Sequence, residues 1–130
     1  MQISAEQMRD AVDRYFTAWA SLDSSAYAAC FANDAIVHDP YGSTPLRGTQ
    51  ALREFFGGIA KALRDVTLEA ERIHIAGNRA AVVFQGKGAG KNGKPVHVEG
   101  IDVFEFNDAG RISALWCYWD SAEMLTKLRL

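Results

Sequence analysis

Three oxygen-bearing side chains stand where their neighbours in the sequence make them chemically unusual. The first, Asp39, ends the run Ala35-Ile36-Val37-His38-Asp39 and directly precedes the turn formers Pro40-Tyr41-Gly42-Ser43-Thr44-Pro45. The spacing predicts a short strand over Ala35 to Asp39, stopped by Pro40, Gly42 and Pro45. Side chains alternate along a strand, so Ala35, Val37 and Asp39 share one face and Ile36 and His38 the other. Asp39 then sits at the mouth of an apolar surface, where poor hydration makes a carboxylate a stronger base than in open water. Taken by itself, an Asp in such a place more often hydrogen-bonds the turn that follows.

Asp102 is the second. Along Pro95 to Phe106 alternation puts Val96, Val98, Gly100, Asp102, Phe104 and Phe106 on one face, and His97, Glu99, Ile101, Val103 and Glu105 on the other. Both faces carry apolar residues, and the aromatic pair marks the Asp102 face as the better candidate for the core. Holding an Asp neutral at pH 7 means raising its pKa by more than about 3 above ~3.9, at ~4 kcal/mol. Desolvation alone can shift a buried carboxyl by ~3–5, so the neutral form is attainable. A neutral Asp102 is a hydrogen-bond donor. Tyr15 is the third, on a helical stripe with Met8, Val12, Trp19 and Leu22. A tyrosine there is usually a core residue whose hydroxyl finds a backbone partner. As a set the three suggest proton abstraction next to a carbonyl: Asp39 takes the proton, and Tyr15 and Asp102 stabilise the developing enolate oxygen.

The elements that must position these groups follow from periodicity. Ser4 with Gln7 resembles a capping box for the first helix, and Leu22-Asp23-Ser24-Ser25 breaks it and caps a short second one marked by Tyr27, Cys30 and Phe31. Gly48-Thr49 opens a third helix carrying Leu52, Phe55, Phe56, Ile59 and Leu63. From Val66 the period drops to two, giving strands over 66–75, 79–87, 95–106 and 111–119 joined by Gly-Asn, Gly-rich and Asn-Asp-Ala-Gly turns. Ser121 to Leu128 reads as a short closing helix. Helices first and hairpin-linked strands afterwards predict an α+β fold: a curved, mostly antiparallel sheet with three N-terminal helices packed into its concave face.

Bulk properties narrow the function classes. A chain of 130 residues, 48% apolar, has the size of one globular domain, expected over 1–130, able to bury a real core. A formal net charge of -2 and no Lys/Arg stripe argue against nucleic acid as a partner. No apolar run is long enough for a membrane, and the first residues lack the basic and apolar regions of a signal peptide, so a cytoplasmic location is expected. Cys30 and Cys117 show neither CxxC nor metal spacing and read as reduced packing residues. Gly88-Ala89-Gly90-Lys91-Asn92-Gly93-Lys94 imitates a phosphate loop, yet Pro95 stands where a Ser or Thr is needed and a strand follows in place of a helix. His38, His74 and His97 are not at ligand spacing, so no metal site is expected.

The chain resembles the ketosteroid isomerases (steroid delta-isomerases) of the NTF2-like, SnoaL-like superfamily. The matching segments are Asp13-Arg14-Tyr15, the run from Phe31 to Ser43 with its Asp-Pro-x-Gly-Ser piece, Arg47 to Phe55, and Gly100-Ile101-Asp102-Val103-Phe104-Glu105-Phe106-Asn107. That family is known for the division of roles just described, and its oxyanion tyrosine, general base and protonated acid fall on Tyr15, Asp39 and Asp102. The resemblance implies a cone-shaped α+β barrel with an apolar interior, a homodimer associating through its sheets, a small apolar steroid-like carbonyl substrate and no cofactor. It also makes Phe55, Phe84, Phe104 and Trp116 candidate walls for a flat ligand, although ordinary core explains them equally well. Phe56 departs from the family, which often has a tyrosine there to hydrogen-bond the catalytic one. His38 replaces a common acidic residue and Gly100 a proline. Two rivals use the same fold: a SnoaL-like polyketide cyclase or dehydratase, in which His38 could act if turned inward, and a non-catalytic small-ligand-binding module.

Overall fold

The computed structural model describes residues 2–128, with only the backbone of Leu125. Its first helix, α1 (Ala5–Ser21), opens on the expected capping box: the Ser4 hydroxyl accepts from the Gln7 backbone N–H, and the Gln7 side chain accepts from the Ser4 N–H. Leu22 closes it in the left-handed region, at φ 55°. The Asp23 carboxylate then accepts from the Ser25 and Ala26 N–H groups and starts α2 (Ser24–Ala28). After that come β1 (Phe31–His38), β2 (Leu46–Arg47), α3 (Gly48–Ala60), β3 (Leu63–Ala76), β4 (Arg79–Gly90), β5 (Pro95–Phe106), β6 (Ile112–Trp119) and α4 (Ser121–Leu128).

Several boundaries differ from the sequence expectation: β1 starts at Phe31 and ends one residue before Asp39, α3 ends at Ala60 so that Leu63 opens β3, and β4 runs on to Gly90. The second helix ends at Ala28, so Cys30 and Phe31 leave it, because Phe31 is claimed by β1, where it pairs with Ile112 of β6. Leu46 and Arg47, expected within a loop, form a short strand on Val37 and Ile36. The six strands run in the order β2-β1-β6-β5-β4-β3, antiparallel at every step except β1 beside β6, which are parallel. The sheet is curved and unclosed with helices packed against it, the α+β, NTF2-like arrangement expected from the sequence. One edge strand is only two residues long and the far edge lies under α1, so helices rather than strands complete the wall.

Local irregularity in β6 decides which of its side chains face inward. Glu105 pairs with Ala114 and Phe106 with Ile112, which leaves Ser113 as an extra residue, a β-bulge. Ile112 is buried, and beyond the bulge the buried positions are Leu115 and Cys117. The concave face is filled by aromatic rings from α1, α2, α3 and β1. Tyr27 stacks on Phe56 at 4.5 Å, Trp19 lies 4.5 Å from Phe56, and Tyr15 meets Phe104 edge-on at 5.2 Å. Burial of rings of this size contributes roughly 1.5–3 kcal/mol each and fixes α1 against the sheet.

Candidate active site

The strand order β1-β6-β5 sets three polar side chains in a row on the concave face. Asp39 follows the last residue of β1, where His38 pairs with Trp116. Cys117 is next on β6, and Asp102 lies directly opposite Cys117 on β5. The Tyr41 N–H donates to the Cys117 carbonyl at 2.7 Å and ties the turn after Asp39 to the central strand. Above the row, α1 lowers Tyr15. All four side chains line one apolar cavity, about 50 Å³ of which is open to the centre of a water-sized sphere. Its other walls are apolar or aromatic, from Trp19, Ile59 and Phe84 to Met124 of α4, and include no Lys, Arg or His.

Without a cation, burial governs the two acids. Asp39 is 8% exposed, and desolvation pushes its pKa up to about 6, against hydrogen bonds from Trp119 and Cys117 that favour the charged form. The Trp119 indole Nε1–H donates to Asp39 Oδ1 at 2.6 Å. Asp39 is therefore mostly ionised at pH 7. Asp102 is 3% exposed, its Oδ1 has no hydrogen-bond partner, and burial followed by the Asp39 charge holds its carboxyl well above the usual range. It keeps its proton. Burial also raises the Tyr15 phenol, with further contributions from Cys117 and the two carboxylates, so Tyr15 stays a neutral donor. One acceptor-type carboxylate and two O–H donors thus face one dry space.

Residues 12–115 match the model of a family described as the SnoaL-like domain. The chain belongs to that family. It is 36% identical over 123 residues to a steroid delta-isomerase of Nocardioides simplex, covering 95% of this chain and 97% of that protein. Its fold also matches a solved structure of SalBIII, described as an epoxide hydrolase/cyclase-like enzyme in pyran ring formation in polyether salinomycin. That match has a TM-score of 0.79 over 90% of this chain and 93% of the other, at 24% identity.

In this SnoaL-like chain Tyr15, Asp39 and Asp102 share the cavity, and Phe84 is in its wall. Phe104 lies outside the wall, fully buried against Tyr15. Phe55 packs half-buried against the core and does not reach the cavity, because α3 turns Leu52, Phe56 and Ile59 inward. Trp116 is on the other face of the sheet: its ring stacks on His38 at 6.1 Å with the planes 7° apart, and the Arg79 guanidinium lies 5.0 Å from it. His38 therefore points away from the cavity that Asp39 lines, and a cyclase or dehydratase would have to work without it. Cys117 and Trp119 were the residues missed. Alternation counted backwards from Trp119 would have found both. Gly100, paired with Trp119, lets the strands approach, since a Cβ there would stand 2.1 Å from the Tyr118 carbonyl oxygen. Tyr27 supplies a phenol against Phe56, where the family often has one, but its hydroxyl is buried without a partner.

Proposed function

We propose that this SnoaL-like chain, read as one domain over 1–130, is a cofactor-independent isomerase that shifts a double bond of a 3-oxo steroid-like ketone. The observation that carries this reading is the pair of buried carboxyl groups on one apolar cavity with no cation in its wall, where burial raises both and the Asp39 charge raises Asp102 further. Tyr15 and Asp102 donate hydrogen bonds to the ketone oxygen. Asp39 takes a proton from the carbon between carbonyl and alkene, leaving an enolate whose negative oxygen those donors stabilise most strongly. The proton then returns from Asp39 to the far end of the former alkene, so carboxylate and donors end as they began. The apolar walls keep water from competing for that proton, and the Trp119 indole holds the carboxylate in place. The relative from Nocardioides simplex supports the same reaction class.

The test is an absorbance assay with an unconjugated 3-oxo steroid, in which conjugation creates a new ultraviolet band. The band should form with the wild type and be nearly lost with Asp39→Asn; unchanged turnover in that variant would overturn the assignment. A phenolic enolate mimic should bind tightly, and more weakly after Tyr15→Phe, as expected of a site complementary to the enolate.

The outer sheet face supports a homodimer. Tyr118 is 46% and Ile101 43% exposed, and they pair directly across β5 and β6. Sedimentation of the wild type should give a dimer, and Tyr118→Glu a monomer. Among the described residues no helix is long and apolar enough to cross a membrane, and two free cysteines suit a reducing, cytoplasmic setting.

A further inference from the structure

Strand register and the shared cavity wall set the side chain of Cys117 between the two acids. It stands opposite Asp102 in the β5–β6 register, beside Asp39 across the β1–β6 pair, and its side chain is in hydrogen-bonding reach of each carboxyl. It is 1% exposed and forms part of the cavity wall. The groups that bear on it are Asp39 at the end of β1, Asp102 on β5, and the neutral phenols Tyr15 on α1 and Tyr27 on α2. Among the described residues no group of three or more His, Cys, Asp or Glu is arranged to hold a metal ion.

We propose that Cys117 is a positioning residue: its single S–H is given to Asp39, and its sulfur is too poor an acceptor to turn the Asp102 O–H away from the cavity. A thiol has one proton to donate, and a charged acceptor takes it in preference to a neutral one. Asp39 thereby gains a second donor beside the Trp119 indole. Asp102 gains none, which agrees with its unpartnered Oδ1 and leaves its proton for the substrate oxygen. A serine here would give its single O–H to Asp39 as a stronger donor and offer the Asp102 O–H a stronger acceptor, and an alanine would offer neither. The thiol itself stays protonated, because burial and two flanking carboxylates disfavour the thiolate.

This inference deepens the isomerase reading and rests on it for its catalytic meaning, so its test reads the carboxyl groups without substrate. Carbon NMR of isotope-labelled aspartate carboxyls is titrated in the full-length wild type, Cys117→Ala and Cys117→Ser, with Asp39 and Asp102 assigned from their Asn variants. In Cys117→Ala the Asp39 midpoint should rise from about 6 by roughly half a pH unit to one, the effect of losing one modest hydrogen bond. In Cys117→Ser it should return to the wild-type value or fall below it, since a hydroxyl is the stronger donor. An Asp39 midpoint that stays put in folded Cys117→Ala, or that rises in Cys117→Ser, overturns the proposal and leaves Cys117 as packing. If Cys117→Ala does not fold, the nearly isosteric Cys117→Ser decides alone: it must lower the midpoint. With turnover as the second readout, the acid limb of kcat should follow these midpoints while KM holds. Failure of the isomerase reading looks different: the titrations shift as described and no ultraviolet band forms at any pH.

Discussion

Asp102 and Glu105 lie on the same strand and face opposite sides of the sheet. Glu105 points outward, where the Arg79 guanidinium meets it at 2.9 Å and water reaches both. Asp102 points inward, where no cation lines the cavity and its Oδ1 has no partner at all. A carboxylate that meets a guanidinium keeps its charge and acts as a strut. One that meets an apolar wall keeps a proton and becomes a donor. The same contrast runs one residue at a time along the neighbouring strands: His38 and Trp116 stack on the outer face, and the residue after each, Asp39 and Cys117, belongs to the cavity. The side of the pleat, more than the residue type, decides which titratable group is available for chemistry.

The contrast can be broken from the inside first. Asp39→Asn should lower kcat by ~10²–10⁴-fold, the usual loss on removing a general base. The same change should stabilise the fold at neutral pH. The folded-state pKa of Asp39, about 6, lies above the ordinary 3.8, so the native state holds a proton that the unfolded chain releases. Wild-type stability therefore falls as pH rises through that window, by up to about 3 kcal/mol once Asp39 is ionised. Denaturation midpoints should show the gain above the window and lose it at the acid end. Next in size, Tyr15→Phe removes one enolate donor and should lower kcat by ~10²–10³-fold with KM little changed in steady-state assays. Trp119→Phe takes a hydrogen bond from the ionised base. Its acid limb should move above pH 6, reducing turnover a few-fold on the acid side and hardly at all on the alkaline side. The outer face should give the smallest effect: Trp116→Ala loses the Arg79 contact, worth roughly 0.5–1 kcal/mol of stability, and leaves kcat within about twofold of wild type. A large loss of turnover there would erase the distinction between the faces.

Much of the inward face could be read from alternation alone. Ala35, Val37 and Asp39 are buried as that rule requires, and so are Val96, Asp102, Phe104 and Phe106. Strict alternation failed on β6, and for a definite reason. Counting in twos from the buried Ile112 reaches Trp116, but the extra residue at Ser113 swaps the faces, so the inward set becomes Leu115, Cys117 and Trp119. A bulge is a property of two strands, and one strand's sequence does not announce it. The aromatic walls were hard to read for a similar reason: Phe55 and Phe56 are neighbours on α3, and only the packing of the helix against Trp19 and Tyr27 selects Phe56 for the interior. The unclosed sheet, too, depends on pairings that β2 and β3 do not make.

The parallel neighbours β1 and β6 are the first and the last strands of the chain. Asp39 is thus synthesised early, and the Trp119 indole that hydrogen-bonds it and the Cys117 thiol beside it arrive only with residues 112–119. Until then Asp39 is a hydrated surface acid with ordinary strength. Before β6 is in place the cavity lacks the wall that Cys117 and Trp119 supply. Chemistry and the cost of burying two acids arrive together, in the final step of assembly.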